Sequence, residues 1–173
     1  MVRRLRSREA LLRRASTEIN IMPLDDLLAS QAVLPALKVK NKKQALQELS
    51  ARAAHACGRE EREVFEVLLQ RERLGSTGIG NGVAIPHGKL ARLERLCGLF
   101  ARLDRPVDFD SLDGEPVDLI FLLLAPEGAG ADHLKALARI ARILRNEQIA
   151  AQLRAADDEG VIRALLTAPP AAA

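Results

Sequence analysis

Residues Gly75 to Lys89 read GSTGIGNGVAIPHGK, with five glycines, one proline and one histidine in fifteen positions. His87 is the side chain there with obvious chemistry. An unperturbed imidazole has a pKa of about 6.5, so its neutral, nucleophilic form is available near pH 7. If one ring nitrogen is held by a backbone carbonyl, the other offers its lone pair to an electrophile such as phosphorus. Glycine is used where φ must be positive or where a backbone must approach something closely. Backbone amides turned into such a loop favour an anion. The expectation is therefore that His87 accepts a phosphoryl group, with Ser76, Thr77, Gly78, Gly80, Asn81, Gly82 and Gly88 forming a phosphate-binding loop. The plainer alternative is a glycine-rich turn between strands, with a histidine that only makes hydrogen bonds.

Nucleotide loops fit poorly. Five residues separate Gly82 from Gly88 where four are needed, and Leu90 follows Lys89 where Ser or Thr is required. The dinucleotide fingerprint fails at Val83. Ser76 lies in no G-x-S-x-G context, which argues against a serine hydrolase.

Two further residues join the candidate site. Arg71 falls in the last turn of a helix read over Glu60–Leu74, just before the glycine-rich run. Its planar fork suits a phosphate, although it could simply cap the last carbonyls. No helical ion pair competes for it, since Leu68 and Val67 stand three and four positions back. His133 opens a later helix and shares a face with Leu137, Ile140 and Leu144, so it points inward beyond the end of a strand, where ligands of open α/β sheets sit. A lone inward histidine is also a common core residue. His55, near a helix C-terminus, is assigned no function.

The elements that must position these groups follow in order. Pro23–Ala29 reads as a short helix and Val33–Val39 as an edge strand broken by Pro35. Asn41 caps a helix with Gln44 in a capping-box relation, and Gly58 ends it. Cys97–Leu103 and Pro116–Leu124 read as strands, the second apolar on both faces as a central strand should be. Asp132 caps the helix bearing Leu134, Leu137, Ile140, Ala141 and Leu144, and segments 148–155 and 157–167 close the chain. The fold class expected is mixed α/β: a single domain with a central mixed sheet sandwiched by helices.

With 173 residues, 48% hydrophobic and 28% charged, the chain has the material for one globular core. The longest apolar run, Leu119–Pro126, is strand-sized and far short of a membrane span. Net charge is +3, but residues 1–14 hold six arginines and one glutamate, a net +5, which leaves −2 on the rest. Without Trp or Tyr, and with four Phe, the body offers little for nucleic-acid stacking. Residues 1–20 are read as a disordered arm, 21–168 as the domain and 169–173 as a tail. A start of translation at Met22 is an alternative. Cys57 and Cys97 form no recognisable pattern, so free thiols in a reducing cytoplasm are expected. Neither a His/Cys zinc set nor a calcium loop at Asp108, Asp110 and Asp113 has the needed spacing, so no metal and no cofactor is expected.

The run GSTGIGNGVAIPHGK, preceded by QRERLGST, resembles the enzyme IIA proteins of the phosphoenolpyruvate-dependent phosphotransferase system. It is most similar to the fructose/mannitol class and its nitrogen-regulatory branch. The resemblance extends from about Ile21 to Thr167 and includes KKQALQEL, PVDLIFLLLAP and the helix beginning DHL. It implies a phosphoryl relay in which His87 accepts the group, on Nε2, from the phosphohistidine of an HPr-type carrier, with Arg71 and His133 lining the site. It further implies regulated targets such as potassium-transport or sensor-kinase components. The alternatives are a sugar-type IIA passing the group to a IIB domain and a binding module that has lost the chemistry.

Overall fold

The computed structural model describes residues 24–167. The expected arm and tail, and the alternative start at Met22, lie outside the described residues. The order of elements is β1 (Leu28–Leu37), α1 (Lys42–Cys57), α2 (Glu61–Arg73), β2 (Gly78–Gly80), β3 (Val83–Ala84), β4 (His87–Leu90), β5 (Cys97–Val107), β6 (Val117–Pro126), α3 (Ala131–Arg145), α4 (Glu147–Ala155) and α5 (Glu159–Thr167).

The sheet is organised around β6. Leu119, Ile120, Phe121, Leu122, Leu123 and Leu124 are all fully buried. Successive strand residues point to opposite faces, so both faces of β6 are covered. Burying each such side chain contributes about 1.5–3 kcal/mol relative to leaving it exposed. β5 runs antiparallel to β6, and β1 pairs parallel with the outer side of β5. On the other side of β6, β3 and then β4 pair parallel with successive parts of it, and β2 pairs antiparallel with β3. The sheet is thus mixed, with β1 at one edge, as Pro35 predicts. Helix α1 packs on β1 and β5, α2 on β4, and α3 and α4 on β6.

Local signals account for the helix ends. The Asn41 side chain accepts from the Gln44 amide at 2.9 Å, and the Gln44 side chain accepts from the Lys40 amide at 2.7 Å. The capping box is therefore displaced by one residue. Gly58, at φ 64°, closes α1 in the left-handed conformation.

Three expectations need correction. Leu24–Leu27 forms a turn and Leu28 already begins β1, because Leu28 N–H reaches back to Leu24 and the chain then turns into the sheet. The N-cap of α3 is Gly130, not Asp132, whose side chain makes no capping bond; Leu134 is exposed, outside the buried stripe of His133, Ala136, Ile140 and Leu144. Finally, Cys57 and Cys97 are joined in a disulfide. Packing of α1 across the sheet brings the end of that helix to the start of β5, with Cα atoms 6.3 Å apart, inside the bridging range. A separation of 40 residues hides that proximity from any reading of spacing.

Candidate functional site

Pro86 divides what would be one long strand beside β6 into β3 and β4. Val83 and Ala84 pair with Leu119 and Ile120, and His87 to Leu90 pair with Leu123 to Pro126. Pro86 has no N–H to give the ladder, and its carbonyl accepts from Leu123. At this break the Ile85 carbonyl turns back and accepts from Nδ1–H of His87 at 2.7 Å. That bond fixes the tautomer and leaves Nε2 unprotonated, with its lone pair directed away from the Ile85 carbonyl.

Nε2 faces Arg71, whose Nε–H donates to it at 3.3 Å while Nη1 donates to the Gly75 carbonyl at 2.9 Å. Arg71 thus caps none of the last helical carbonyls; it holds the chain just past the helix end at Gly75 and addresses the imidazole. The second histidine, His133, is 7% exposed, with its ring centroid 5.4 Å from that of His87. Its Nε2 is buried and has no hydrogen-bond partner among the described residues. A buried polar atom in that state is poised for an incoming partner.

Both imidazoles are held below their ordinary pKa. For His87 burial is the main cause; the Ile85 carbonyl and the Glu72 carboxylate pull the other way, and the Arg71 guanidinium adds to the lowering. For His133 the causes are burial, then the facing His87, then Lys89. The pair is neutral where a nucleophile has to be.

The ring of His87 opens into a shallow hollow of about 300 Å³ lined by Val67, Gln70, Arg71, Leu74, Gly88, Lys89 and His133. One of the lining residues, Leu74, is a large apolar side chain 86% exposed to solvent. A larger concavity against α3 contains none of His87, His133 or Arg71.

Of the expected phosphate-binding loop, only Gly88 lines this hollow. A Cβ on Gly88 would strike Val67, so its role is to let α2 pack closely on β4. The remaining residues are engaged elsewhere. The Ser76 hydroxyl donates to the Phe109 carbonyl, and Thr77 binds Glu72 through both its amide and its hydroxyl. A Cβ on Gly78 would strike Ser111, and one on Gly80 would meet the Asp113 carboxylate. Asn81 and Gly82, at φ 54° and 76°, form the two-residue turn of the β2–β3 hairpin. Asn-Gly is the strongest short-range hairpin signal, and it went unread because the surrounding glycines suggested a cradle. Asp113 accepts from the Asn81 amide, and Arg154 clamps the turn by donating to the Asn81 carbonyl and to Asp118. Arg154 and Asp113 carry no local sequence signal for this role.

No group of His, Cys, Asp and Glu that could hold a metal ion occurs among the described residues. Nor is any helix among them long and apolar enough to cross a membrane.

Comparison with known proteins places the chain in a family. Residues 26–168 match the family model for the phosphoenolpyruvate-dependent sugar phosphotransferase system, EIIA 2. The chain is 68% identical over 152 residues to a nitrogen regulatory protein of Bradyrhizobium diazoefficiens, covering 88% of this chain and 99% of that one. It is 37% identical over 142 residues to a fructose-specific EIIABC component of Bacillus subtilis, covering 82% of this chain but 22% of that larger protein. The crystal structure of nitrogen regulatory protein IIA-Ntr from Neisseria meningitidis superposes with a TM-score of 0.78 at 38% identity, over 82% of this chain and 97% of that one. Family match, sequence identity and superposed fold coincide on one conclusion: the chain belongs to the EIIA 2 family of the phosphoenolpyruvate-dependent sugar phosphotransferase system.

Proposed function

We propose that the chain is a phosphoryl carrier of the nitrogen-related phosphotransferase system, which accepts its group on Nε2 of His87 from an HPr-type carrier and regulates target proteins by its phosphorylation state. The observation that carries this reading is the orientation of one ring: Nδ1–H is tied to Ile85 and Nε2 looks into the hollow toward Arg71.

In the transfer, the Nε2 lone pair attacks phosphorus and the P–N bond to the donor's imidazole breaks, returning that imidazole to its neutral form. Bonds of the same type form and break, so the step is close to reversible. The Arg71 Nε–H then turns from the ring nitrogen to a phosphoryl oxygen, and a ring N–H of His133 meets another. Such transfer requires positioning and charge compensation rather than covalent chemistry from the protein. The phosphoryl group adds about −1.5 to −2 of charge by analogy with other phosphorylated side chains, and Arg71 and Lys89 stand beside it to compensate. A shallow hollow bordered by the exposed Leu74 suits a donor that is itself a protein, since two histidines must meet. Gly78, Gly80, Asn81 and Gly82 contribute through the hairpin in which β2 pairs with β3, and Ser76 and Thr77 through their bonds to Phe109 and Glu72 just before it. No cofactor enters the step, and the reading places the chain in the cytoplasm with its donor.

The nitrogen-related assignment rests on similarity to the Bradyrhizobium relative, matched over nearly its whole length. Similarity to the fructose-specific component favours a sugar-type relay as the second reading. Incubation with phosphoenolpyruvate, enzyme I and either a nitrogen-type or a sugar-type carrier, followed by intact mass, separates the two. The nitrogen-type carrier is expected to add one phosphoryl group to the wild type and none to a folded His87→Ala variant. Labelling of that variant at wild-type level overturns the assignment.

A further inference from the structure

Glu72 follows Arg71 in α2 and is turned the other way, with its side chain 4% exposed. A buried carboxylate requires donors around it, and three reach this one. The Thr77 amide lies at 2.9 Å, the Thr77 hydroxyl at 2.6 Å and the Lys42 ammonium at 2.8 Å. Lys42 also donates to the Phe109 carbonyl at 3.2 Å and approaches Asp110 at 3.3 Å, and the Ser76 hydroxyl donates to that same carbonyl. One buried anion therefore ties the start of α1, the last turn of α2, the entry to β2 and the chain at Phe109–Asp110.

The position of Glu72 in its helix gives this cluster its consequence. α2 ends at Arg73, so Arg71 and Glu72 sit in its terminal turn, whose carbonyls are met by the tighter bonds from the Leu74 and Gly75 amides rather than by the regular helical ladder. Adjacent residues on a helix diverge by about 100° around its axis. With Glu72 drawn inward onto Thr77 and Lys42, the rotation of that turn is set and Arg71 is directed at β4. Its own remaining tether is one bond to the Gly75 carbonyl.

We propose that Glu72, locked by Lys42 and Thr77, is a positioning residue for phosphoryl transfer: it fixes the last turn of α2 so that the Arg71 guanidinium is already aimed at Nε2 of His87. This rests on the reading of His87 as the phosphoryl acceptor. Glu72 never touches the transferred group; beside its charge, which raises the pKa of His87 slightly against the effect of burial, it acts through the aim of Arg71, and Thr77→Val tests that aim with the charge kept.

The test uses the full chain with its carrier and two variants. Glu72→Gln keeps an oxygen acceptor for Thr77 but loses the charge that holds Lys42, and Thr77→Val removes one donor while keeping that charge. Uptake at saturating carrier is expected to fall about tenfold in Glu72→Gln and about threefold in Thr77→Val, with the KM for the carrier unchanged within about twofold, because misaimed groups cost rate rather than docking. In an Arg71→Ala background Glu72→Gln is expected to add less than about a twofold loss, since no guanidinium is left to aim. Independently of any transfer, solvent exchange of the Arg71 Nε–H, followed by NMR well below the melting temperature, is expected to speed up in both variants. If Glu72→Gln does not fold, Thr77→Val alone decides. Unchanged uptake and exchange, or a loss that is as large without Arg71 as with it, overturns the proposal. A wild type that takes up no phosphoryl group defeats the His87 reading instead, and the exchange measurement still judges the clamp.

Discussion

Whether His87 can attack phosphorus depends on its proton, and the site is built to keep that proton off Nε2. Burial is the main force lowering its pKa, with Arg71 adding to it and Ile85 and Glu72 opposing. Phosphoryl uptake is therefore expected to persist as pH falls through about 6.5, the ordinary imidazole value, and to fail only further into acid. An uptake profile with its midpoint at the ordinary value contradicts this. Stability has the matching sign. The unfolded histidines take up protons near 6.5, whereas the folded His87 and His133 resist. Below that pH the unfolded chain binds more protons, so stability is full above about 6.5 and falls as pH drops through the folded midpoints. Urea unfolding at about pH 7.5 and about pH 5.5 should show the loss, and His133→Phe should reduce it. Asp26, lowered mainly by its hydrogen bond from Arg139, acts only further into acid.

The elements supply the geometry, and they differ in how far sequence reveals them. β6 is legible because an unbroken apolar run of strand length has only one place to go, the middle of a covered sheet. α1 is legible because Asn41 and Gly58 announce its ends. The glycine-rich stretch is legible as important but not as what it is, since the same residues serve a cradle and a tight hairpin. Its partners Asp113 and Arg154 come from 32 and 73 positions away and leave no mark in the local pattern. Glu72 is hidden for the same reason, because a glutamate in a helix reads as solvated surface until Thr77 and Lys42 fold against it. The hairpin assignment can be checked at Gly82, whose φ of 76° disfavours any side chain and whose Cβ would meet Arg154 at 2.6 Å. Gly82→Ala is expected to cost about 1–3 kcal/mol in chemical denaturation. The folded fraction should still accept phosphate at the wild-type rate; a loss of uptake without a loss of stability would return the loop to the phosphoryl group.

At the scale of the whole molecule, one sheet buried on both faces makes a rigid floor. The end of α2 brings Arg71 to His87 and the start of α3 brings His133. The Cys57–Cys97 bond staples α1 to β5 across a loop of 40 residues. Chain-entropy reasoning gives such a crosslink about 2–4 kcal/mol. The Cys57→Ser/Cys97→Ser variant is expected to lose about that much unfolding free energy, seen as a lower urea midpoint, and to keep its phosphoryl uptake, because neither sulfur lines the hollow at His87. An equal urea midpoint would remove the staple from the account of stability. The central claim, however, concerns a single atom. Nitrogen-resolved NMR of the phosphorylated protein, read at the imidazole of His87, reports which ring nitrogen carries phosphorus. Phosphorus is expected on Nε2, with Nδ1 still protonated against the Ile85 carbonyl; phosphorus on Nδ1, or on any other residue, would overturn the assignment of His87 Nε2 as acceptor.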